Sequence, residues 1–366
     1  MPDAHNVRFM QHALDLARKG IGLASPNPTV GCVIMKDGAI LGEGFHQYDG
    51  RDHAEIVALK QAGDHARNAT LYTTLEPCNH TGRTGPCSEA IIAAGISRVV
   101  AAMEDPNPKT RGSGFSRLRA AGIEVETGIL ESEARQLNES FVFWITTNKP
   151  FVTLKSALTF DGQLVLPKSR QNKKHPWITS EESRAEVHRM RHASDALLTG
   201  IGTILADDPR LTDRSGLPRR RRLLRVILDS KLRISSKSRI VQTADDDLLV
   251  FTLASLKSPK AKKLQAGGVE LVYAKSHAGK IDLLAVLAEL ARREIINVLL
   301  EAGPKLNAAA VSASVVNKLV LFYAPKLAGQ STVPFASPLA TGPSDLRIIS
   351  SRQFGPDLAI EAIFNH

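Results

Sequence analysis

Apolar residues recur at helical spacing over residues 7–20 (Val7, Met10, Ala13, Leu14, Ala17), and the run ends at Gly20. Ser25-Pro26-Asn27-Pro28 forbids helix and predicts a turn. Val30 to Met35 reads as a short buried strand, Lys36-Asp37-Gly38 as a hairpin turn, and Ala39 to Gly44 as the returning strand. Asp52 is a suitable N-cap for the periodic segment through Ile56, Ala58, Leu59 and Ala62. Further strands are predicted at Ala69 to Thr74, Arg98 to Met103 and Ile123 to Thr127. Pro77 reads as a helix start carrying Cys78, and a helical run opens at Cys87 and closes at Gly95. Leu118 to Gly122 and residues 131–147 also read as helical. Strands alternating with helices predict an α/β sandwich with a largely parallel sheet.

The pattern restarts after Thr147-Asn148-Lys149-Pro150, which divides the chain into residues 1–147 and 148–366. The second part predicts strands at Phe151 to Lys155, Asp195 to Thr199, Arg225 to Leu228, Leu248 to Thr252, Asn297 to Glu301, Leu319 to Tyr323 and Leu358 to Phe364. Helices are predicted at 180–192, Ile281 to Arg292 and Leu306 to Val311. Residues 167–176 are polar, basic and proline-flanked, as in a loop, and the two parts share no repeat.

Composition narrows the class. An apolar fraction of 43% over 366 residues supports packed cores. No apolar run reaches the roughly 18 residues of a membrane span, and Met1 to Asn6 is polar, so no membrane partner is expected. Three cysteines, an odd number, argue against a disulfide framework and for a reducing cytoplasm. The net charge of +10 suggests nucleic acid until it is divided along the chain. Residues 1–147 carry 14 Lys+Arg against 17 Asp+Glu, a net of −3, and the remainder carries +13. The basic excess, including Arg219 to Arg222, reads as solvated loops, and no nucleic-acid partner is expected.

The chemistry concentrates in His53-Ala54-Glu55, followed by Pro77-Cys78 and Cys87. Histidine and cysteine suit Zn²⁺, and three protein ligands leave the fourth position that a catalytic zinc uses for water. Zinc deaminases carry H-x-E followed by P-C-x-x-C, with the glutamate moving protons. Here Glu55 is correctly spaced, but eight residues, Asn79 to Pro86, separate the cysteines. A structural zinc with His80 as fourth ligand is the alternative. Cys32 reads as a small core residue. Gly200-Ile201-Gly202-Thr203 lacks the third glycine of a dinucleotide fingerprint and runs into Asp207-Asp208-Pro209. Gly303-Pro304-Lys305, after a strand and before a helix, reads either as an anion site or as a plain turn.

Taken together, these motifs resemble the bifunctional deaminase/reductases of riboflavin biosynthesis. The likeness runs through Ser25-Pro26-Asn27-Pro28, His53-Ala54-Glu55, Thr74-Leu75-Glu76-Pro77-Cys78, Gly82-Arg83-Thr84, Pro86-Cys87 and Asp105-Pro106-Asn107-Pro108. It continues in Lys155, Asp161-Gly162, Trp177-Ile178-Thr179, Thr203 to Pro209, Leu228-Asp229-Ser230, Glu301-Ala302-Gly303-Pro304 and Ala324-Pro325-Lys326. The long loop between the cysteines is itself a mark of that family. The resemblance implies a cytidine-deaminase-like α/β/α sandwich followed by a dihydrofolate-reductase-like α/β domain. It implies zinc-dependent deamination of a small phosphorylated pyrimidine, then NADPH-dependent reduction of its ribosyl group, in a homodimer or a homotetramer.

Carried over by residue, the resemblance puts Zn²⁺ on His53, Cys78 and Cys87, with Glu55 catalytic. Asn27, His46, His80, Arg83 and Thr84 would meet the deaminase substrate. Ala157, Trp177, Thr203, Asp207, Ser230 and the stretch Gly303, Pro304, Lys305, Leu306, Asn307, Ala308 and Ala309 would meet NADPH. His175, Arg191, Leu211, Arg214 and Glu301 would meet the reductase substrate. His175 stands where the family carries a serine, which keeps open a deaminase with a degenerate reductase half. A tRNA-binding adenosine deaminase and a non-enzymatic zinc module are the readings from other classes. The first conflicts with the acidic first half, and the second leaves Glu55 without a role.

Overall fold

The computed structural model describes residues 3–82, 84–164, 177–329, 333–338 and 345–364. The chain forms two units. One comprises Met1–Asn148 with Pro218–Arg221, the other Lys149–Leu217 with Arg222–His366.

The first unit runs α1 (Ala4–Arg18), β1 (Gly31–Lys36), β2 (Ala39–Phe45), α2 (Ala54–Ala62), β3 (Thr70–Thr73), α3 (Cys87–Ala93), β4 (Arg98–Ala101), α4 (Ser113–Ala120), β5 (Glu124–Thr127), α5 (Glu131–Leu137) and α6 (Glu139–Thr147). Its sheet has the order β2-β1-β3-β4-β5. The sheet is mixed, not largely parallel: β1 is antiparallel to both neighbours, and β3, β4 and β5 are parallel. The reason lies in the connections. Asp37 and Gly38 both take positive φ, which closes a β1–β2 hairpin. The crossover through α2 then returns β3 in the direction of β2, on the far side of β1.

Two glycines set the approach of α2 to the sheet. A Cβ on Gly42 would lie 2.2 Å from the Ala58 carbonyl oxygen, and one on Gly44 would lie 2.3 Å from that of Ala54. The helix that begins at the His53-Ala54-Glu55 motif therefore rests directly on the β2 backbone. The predicted helix over 131–147 is broken at Asn138, which leaves helical geometry at φ −108°. Its buried side chain accepts from the Thr29 N–H at 2.8 Å and donates to the Thr29 carbonyl at 2.9 Å, tying this corner to the Ser25–Pro28 turn.

The second unit runs β6 (Phe151–Thr159), α7 (Glu181–Ala193), β7 (Ala196–Gly200), α8 (Ile201–Asp207), β8 (Leu224–Leu228), α9 (Arg239–Gln242), β9 (Leu248–Thr252), α10 (Pro259–Ala266), β10 (Val269–Tyr273) and the small hairpin β11 (Ser276–His277) and β12 (Lys280–Ile281). It ends with α11 (Leu283–Arg292), β13 (Asn297–Leu300), α12 (Pro304–Ser312), β14 (Lys318–Ala324), β15 (Leu346–Phe354) and β16 (Asp357–Phe364). The nine-stranded sheet has the order β10-β9-β8-β7-β13-β6-β14-β16-β15. It is parallel from β10 to β14, and its last two strands are antiparallel. Its central strands are buried almost throughout, so apolar runs mark them in the sequence. Asp207-Asp208-Pro209 stops a helix here without preventing one: α8 forms, and Asp208 ends it at φ 40°. Among the described residues no helix is long and apolar enough to cross a membrane.

Candidate active sites

His53 is the N-cap residue of α2, in extended geometry, and Glu55 lies in the first helical turn. Cys87 is the first residue of α3. Pro77 and Cys78 do not start the helix predicted for them but lie in an irregular loop. That loop is held by the amino end of α3. The Ser88 N–H donates to the Cys78 carbonyl at 3.1 Å, the Cys87 N–H to Cys78 Sγ at 3.3 Å, and Ser88 Oγ to Asn79 Oδ1 at 2.8 Å. Two helix starts and one loop thus converge.

His53 Nδ1 lies 3.4 Å from Cys78 Sγ and 3.2 Å from Cys87 Sγ. The three ligand atoms fall within 4.8 Å of one another. Zinc–sulfur and zinc–nitrogen bond lengths give a tetrahedral N···S edge of about 3.5 Å, so the donor set and its spacing suit Zn²⁺. His80 is not in the cluster, which weakens the structural-zinc alternative. Hydrogen bonds from Cys87 and from His53 hold the Cys78 thiol well below the usual range, placing negative charge on that sulfur. Burial pushes the Glu55 carboxyl up to about 7, against the opposing pull of His53.

His53, Glu55 and Cys78 open on a cavity of about 300 Å³. Asn27, His46, His80 and Thr84 line the same cavity, so four of the five expected substrate contacts surround the cluster. Arg83 lies outside the described residues. His46 Nδ1 is 3.0 Å from the Asp52 carbonyl, which only accepts, so that nitrogen carries the proton. Nε2 then accepts from the Asn27 amide nitrogen at 3.0 Å. This turns the Asn27 oxygen into the acceptor that a ligand's N–H meets.

Tyr48, Arg51, Asp105, Asn107 and Phe141 also line the cavity, and sequence reasoning assigned none of them there. What brings Asp105 and Asn107 in is Glu76. Its buried carboxylate accepts from the N–H groups of Asp105 (3.0 Å), Gly112 (2.9 Å), Gly114 (2.8 Å) and Phe115 (3.3 Å). Glu76 therefore folds the loop that ends β4. The Leu75-Glu76-Pro77 motif was a visible signal, but its partners lie about three dozen residues away.

In the second unit the residues expected to meet NADPH gather at one edge. Ala157 is near the end of β6, Thr203 and Asp207 are on α8 after β7, Ser230 follows β8, and Gly303 to Lys305 open α12 after β13. These are carboxyl ends of adjoining parallel strands, where open α/β sheets bind ligands. Trp177 is 53% exposed, with the Arg184 guanidinium 4.6 Å from its ring centroid. Leu306 and Ala309 lie on the same helix, but Asn307 and Ala308 are buried, and Asn307 Nδ2 donates to the Phe335 carbonyl at 2.8 Å. Those two side chains build the helix seat.

Arg191, Leu211, Arg214 and Glu301 come together around α7. Arg191 grips Glu301 with two donors, Nε to Oε1 at 2.7 Å and Nη2 to Oε2 at 3.0 Å, and gives Nη1 to the Thr212 carbonyl at 3.1 Å. Its planar fork thus meets a carboxylate, and its part in the site is to hold Glu301 and the 211–215 loop. Leu211 is buried at φ 54°, and the Arg214 N–H donates to His188 Nδ1 at 3.3 Å. Burial, then Arg191 and Arg214, push His188 down to about 4, so it stays a neutral acceptor. Lys155 Nζ lies 3.8 Å from Glu301 Oε2, and burial lowers its proton affinity. Burial raises Glu301, but Arg191 and Lys155 outweigh it and hold the carboxylate at about 2. Sequence reasoning gave Lys155 and His188 no site role. His175 lies outside the described residues.

Residues 4–103 match the cytidine and deoxycytidylate deaminase zinc-binding region, and residues 150–360 match the RibD C-terminal domain. The riboflavin biosynthesis protein RibD of Aquifex aeolicus is 42% identical over 322 residues, 88% of this chain and 87% of that protein. That of Escherichia coli is 39% identical over 372 residues, 97% of this chain and 98% of that protein. Among solved structures, Acinetobacter baumannii RibD superposes with a TM-score of 0.86 at 35% identity, covering 99% of each chain. A Thermotoga maritima protein described as a diaminohydroxyphosphoribosylaminopyrimidine deaminase/5-amino-6-(5-phosphoribosylamino)uracil reductase gives 0.82 at 34% identity, covering 98% of this chain and 99% of that one. A tRNA deaminase or a bare zinc module would leave the match over 150–360 without a cause. With both units matched along whole relatives, the chain belongs to the RibD family of bifunctional deaminase/reductases of riboflavin biosynthesis.

Proposed function

We propose that the first unit hydrolyses the ring amine of 2,5-diamino-6-ribosylamino-4(3H)-pyrimidinone 5′-phosphate, and that the second reduces the ribosyl group of the product to ribityl with NADPH. The observation that carries the first step is a buried carboxyl, Glu55, opening with His53 and Cys78 on one cavity. His53, Cys78 and Cys87 would hold Zn²⁺, which would supply Lewis-acid activation of the water that replaces the amine. Glu55 takes one proton from that water and delivers it to the ring nitrogen, then carries the proton of the added hydroxyl to the amine, which leaves as ammonia as the carbonyl forms. A carboxyl whose pKa is raised to about 7 accepts and returns a proton near neutrality. Asn27 and His46, fixed on each other, orient the ring, and the side of the cavity lined by His80, Gly82 and Thr84 meets the rest of the substrate.

For the second step, Ala157, Trp177, Thr203, Asp207, Ser230 and the Gly303–Ala309 stretch, at the carboxyl edge of the sheet, would hold NADPH, which would supply the hydride that reduces the sugar at C1′. The ring oxygen leaving C1′ takes up a proton, and Lys155, kept in place by Glu301, donates it. Arg191 fixes Glu301, and Arg214 meets the phosphate.

Chelation tests the assignment. Chelator-stripped protein loses ammonia release, Zn²⁺ restores it, and NADPH oxidation on the deaminated pyrimidine persists in the stripped protein. Ammonia release that survives removal of the metal would contradict the zinc step. Ammonia release with no NADPH oxidation in the intact protein would favour a deaminase with a degenerate reductase half.

A further inference from the structure

The basic run Arg219 to Arg222 reads as a solvated loop, yet Arg219, Arg220 and Arg221 are half-buried, and Pro218–Arg221 belongs to the first unit. Arg220 joins two turns of that unit. Its backbone N–H donates to the Gly22 carbonyl at 2.8 Å and its Nη1 to the Ser25 carbonyl at 3.0 Å. Its Nε pairs with Asp49 Oδ1 at 3.0 Å, and its guanidinium carbon stands 3.6 Å from the Tyr48 ring centroid. Arg221 Nη2 reaches Ser25 Oγ at 3.4 Å.

Both turns feed the deaminase cavity. Gly22 to Ser25 runs into Asn27 and Pro28, and Tyr48-Asp49 runs into Arg51 and His53; Asn27, Pro28, Tyr48, Arg51 and His53 all line that cavity. The Tyr48 N–H bonds to the Leu23 carbonyl at 3.1 Å, and the Arg51 N–H to the Tyr48 carbonyl at 3.3 Å, with Arg51 at φ 63°. A displacement of Tyr48 therefore passes to Arg51 and to the turn before Asn27. Only a planar, multiply donating cation can lie flat on the ring, pair with Asp49 and reach the Ser25 carbonyl at once.

We propose that Arg220 is a positioning residue for deamination, clamping the two turns that shape the substrate cavity, so that residues 218–221 are part of the deaminase. This rests on the deaminase reading of the first unit. The test uses the full chain without NADPH, following ammonia release from the diaminopyrimidine phosphate. Arg220→Ala is expected to raise KM by about tenfold, as loosened substrate positioning does, with kcat changed far less. Zinc content and NADPH-dependent reduction of the deaminated pyrimidine stay at wild-type levels. Arg220→Lys keeps the charge facing Asp49 but not the fork, and gives an intermediate KM.

An unchanged KM in Arg220→Ala overturns the proposal, as does a fall in kcat with loss of zinc at constant KM. If the alanine variant does not fold, the lysine variant decides: an intermediate KM supports the clamp and a wild-type KM overturns it. Wild-type protein that releases no ammonia would instead defeat the deaminase reading itself.

Discussion

Replacing Glu55 with Gln lowers ammonia release by about a thousandfold, within the range that general acid–base catalysis contributes. Glutamine has the same shape and hydrogen-bonds as well, but it cannot take up and return a proton. Glu55 is 3% exposed, at the start of α2 beside His53, so no solvent carboxylate replaces it. The three zinc-binding side chains are untouched, and metal analysis should return wild-type zinc. Steady-state rates and zinc content, measured together, separate loss of the proton carrier from loss of the metal. A variant that keeps its rate would show that Glu55 is not the proton carrier.

Arg191→Ala abolishes reduction and destabilises the second unit by about 3–5 kcal/mol, the cost of removing one partner of a buried ion pair. The Arg191 and Glu301 side chains are 11% and 13% exposed, and among the described residues Lys155, at 3.8 Å, is the ion-pair partner left to Glu301 once the fork is gone. Faster hydrogen exchange over Asn297–Leu300 and residues 211–215 would report the loosening, while ammonia release continues. The pH dependence has a fixed sign. Glu301 is depressed to about 2 in the folded chain. Its ion-pair stabilisation is therefore complete above the unfolded carboxylate value of about 4.3 and lost as pH falls toward the folded value. The gap between variant and wild type should close over that acidic interval. A variant of wild-type stability at neutral pH would show that the pair does not hold this edge together.

The parts of the site legible in the sequence are those whose chemistry is local. His53 and Glu55 are two residues apart, and a histidine with two cysteines admits few roles besides zinc. The strands β7, β9 and β13 are buried along their length and appear as apolar runs. Elements fixed by distant partners were not legible. β15 is an edge strand exposed along nearly all of its length, so no alternation marks it. Asn138 breaks a helix because Thr29, far earlier in the chain, binds its side chain. Glu76 stood in the sequence only as part of the Thr74 to Cys78 stretch, and it gathers backbone N–H groups from residues 105–115. The β1–β2 hairpin was legible in Lys36-Asp37-Gly38, but the crossover that places β3 on the far side of β1 is not encoded in hydrophobic periodicity.

Both reactions are assigned to one polypeptide, and product analysis tests that most directly. The protein is incubated with the diaminopyrimidine phosphate, with and without NADPH, and the products are identified by mass spectrometry. The expected result is a deaminated ribosyl compound without NADPH and a deaminated ribityl compound with it. Recovery of only the deaminated ribosyl compound in the presence of NADPH, or of unchanged substrate in both, would contradict the assignment.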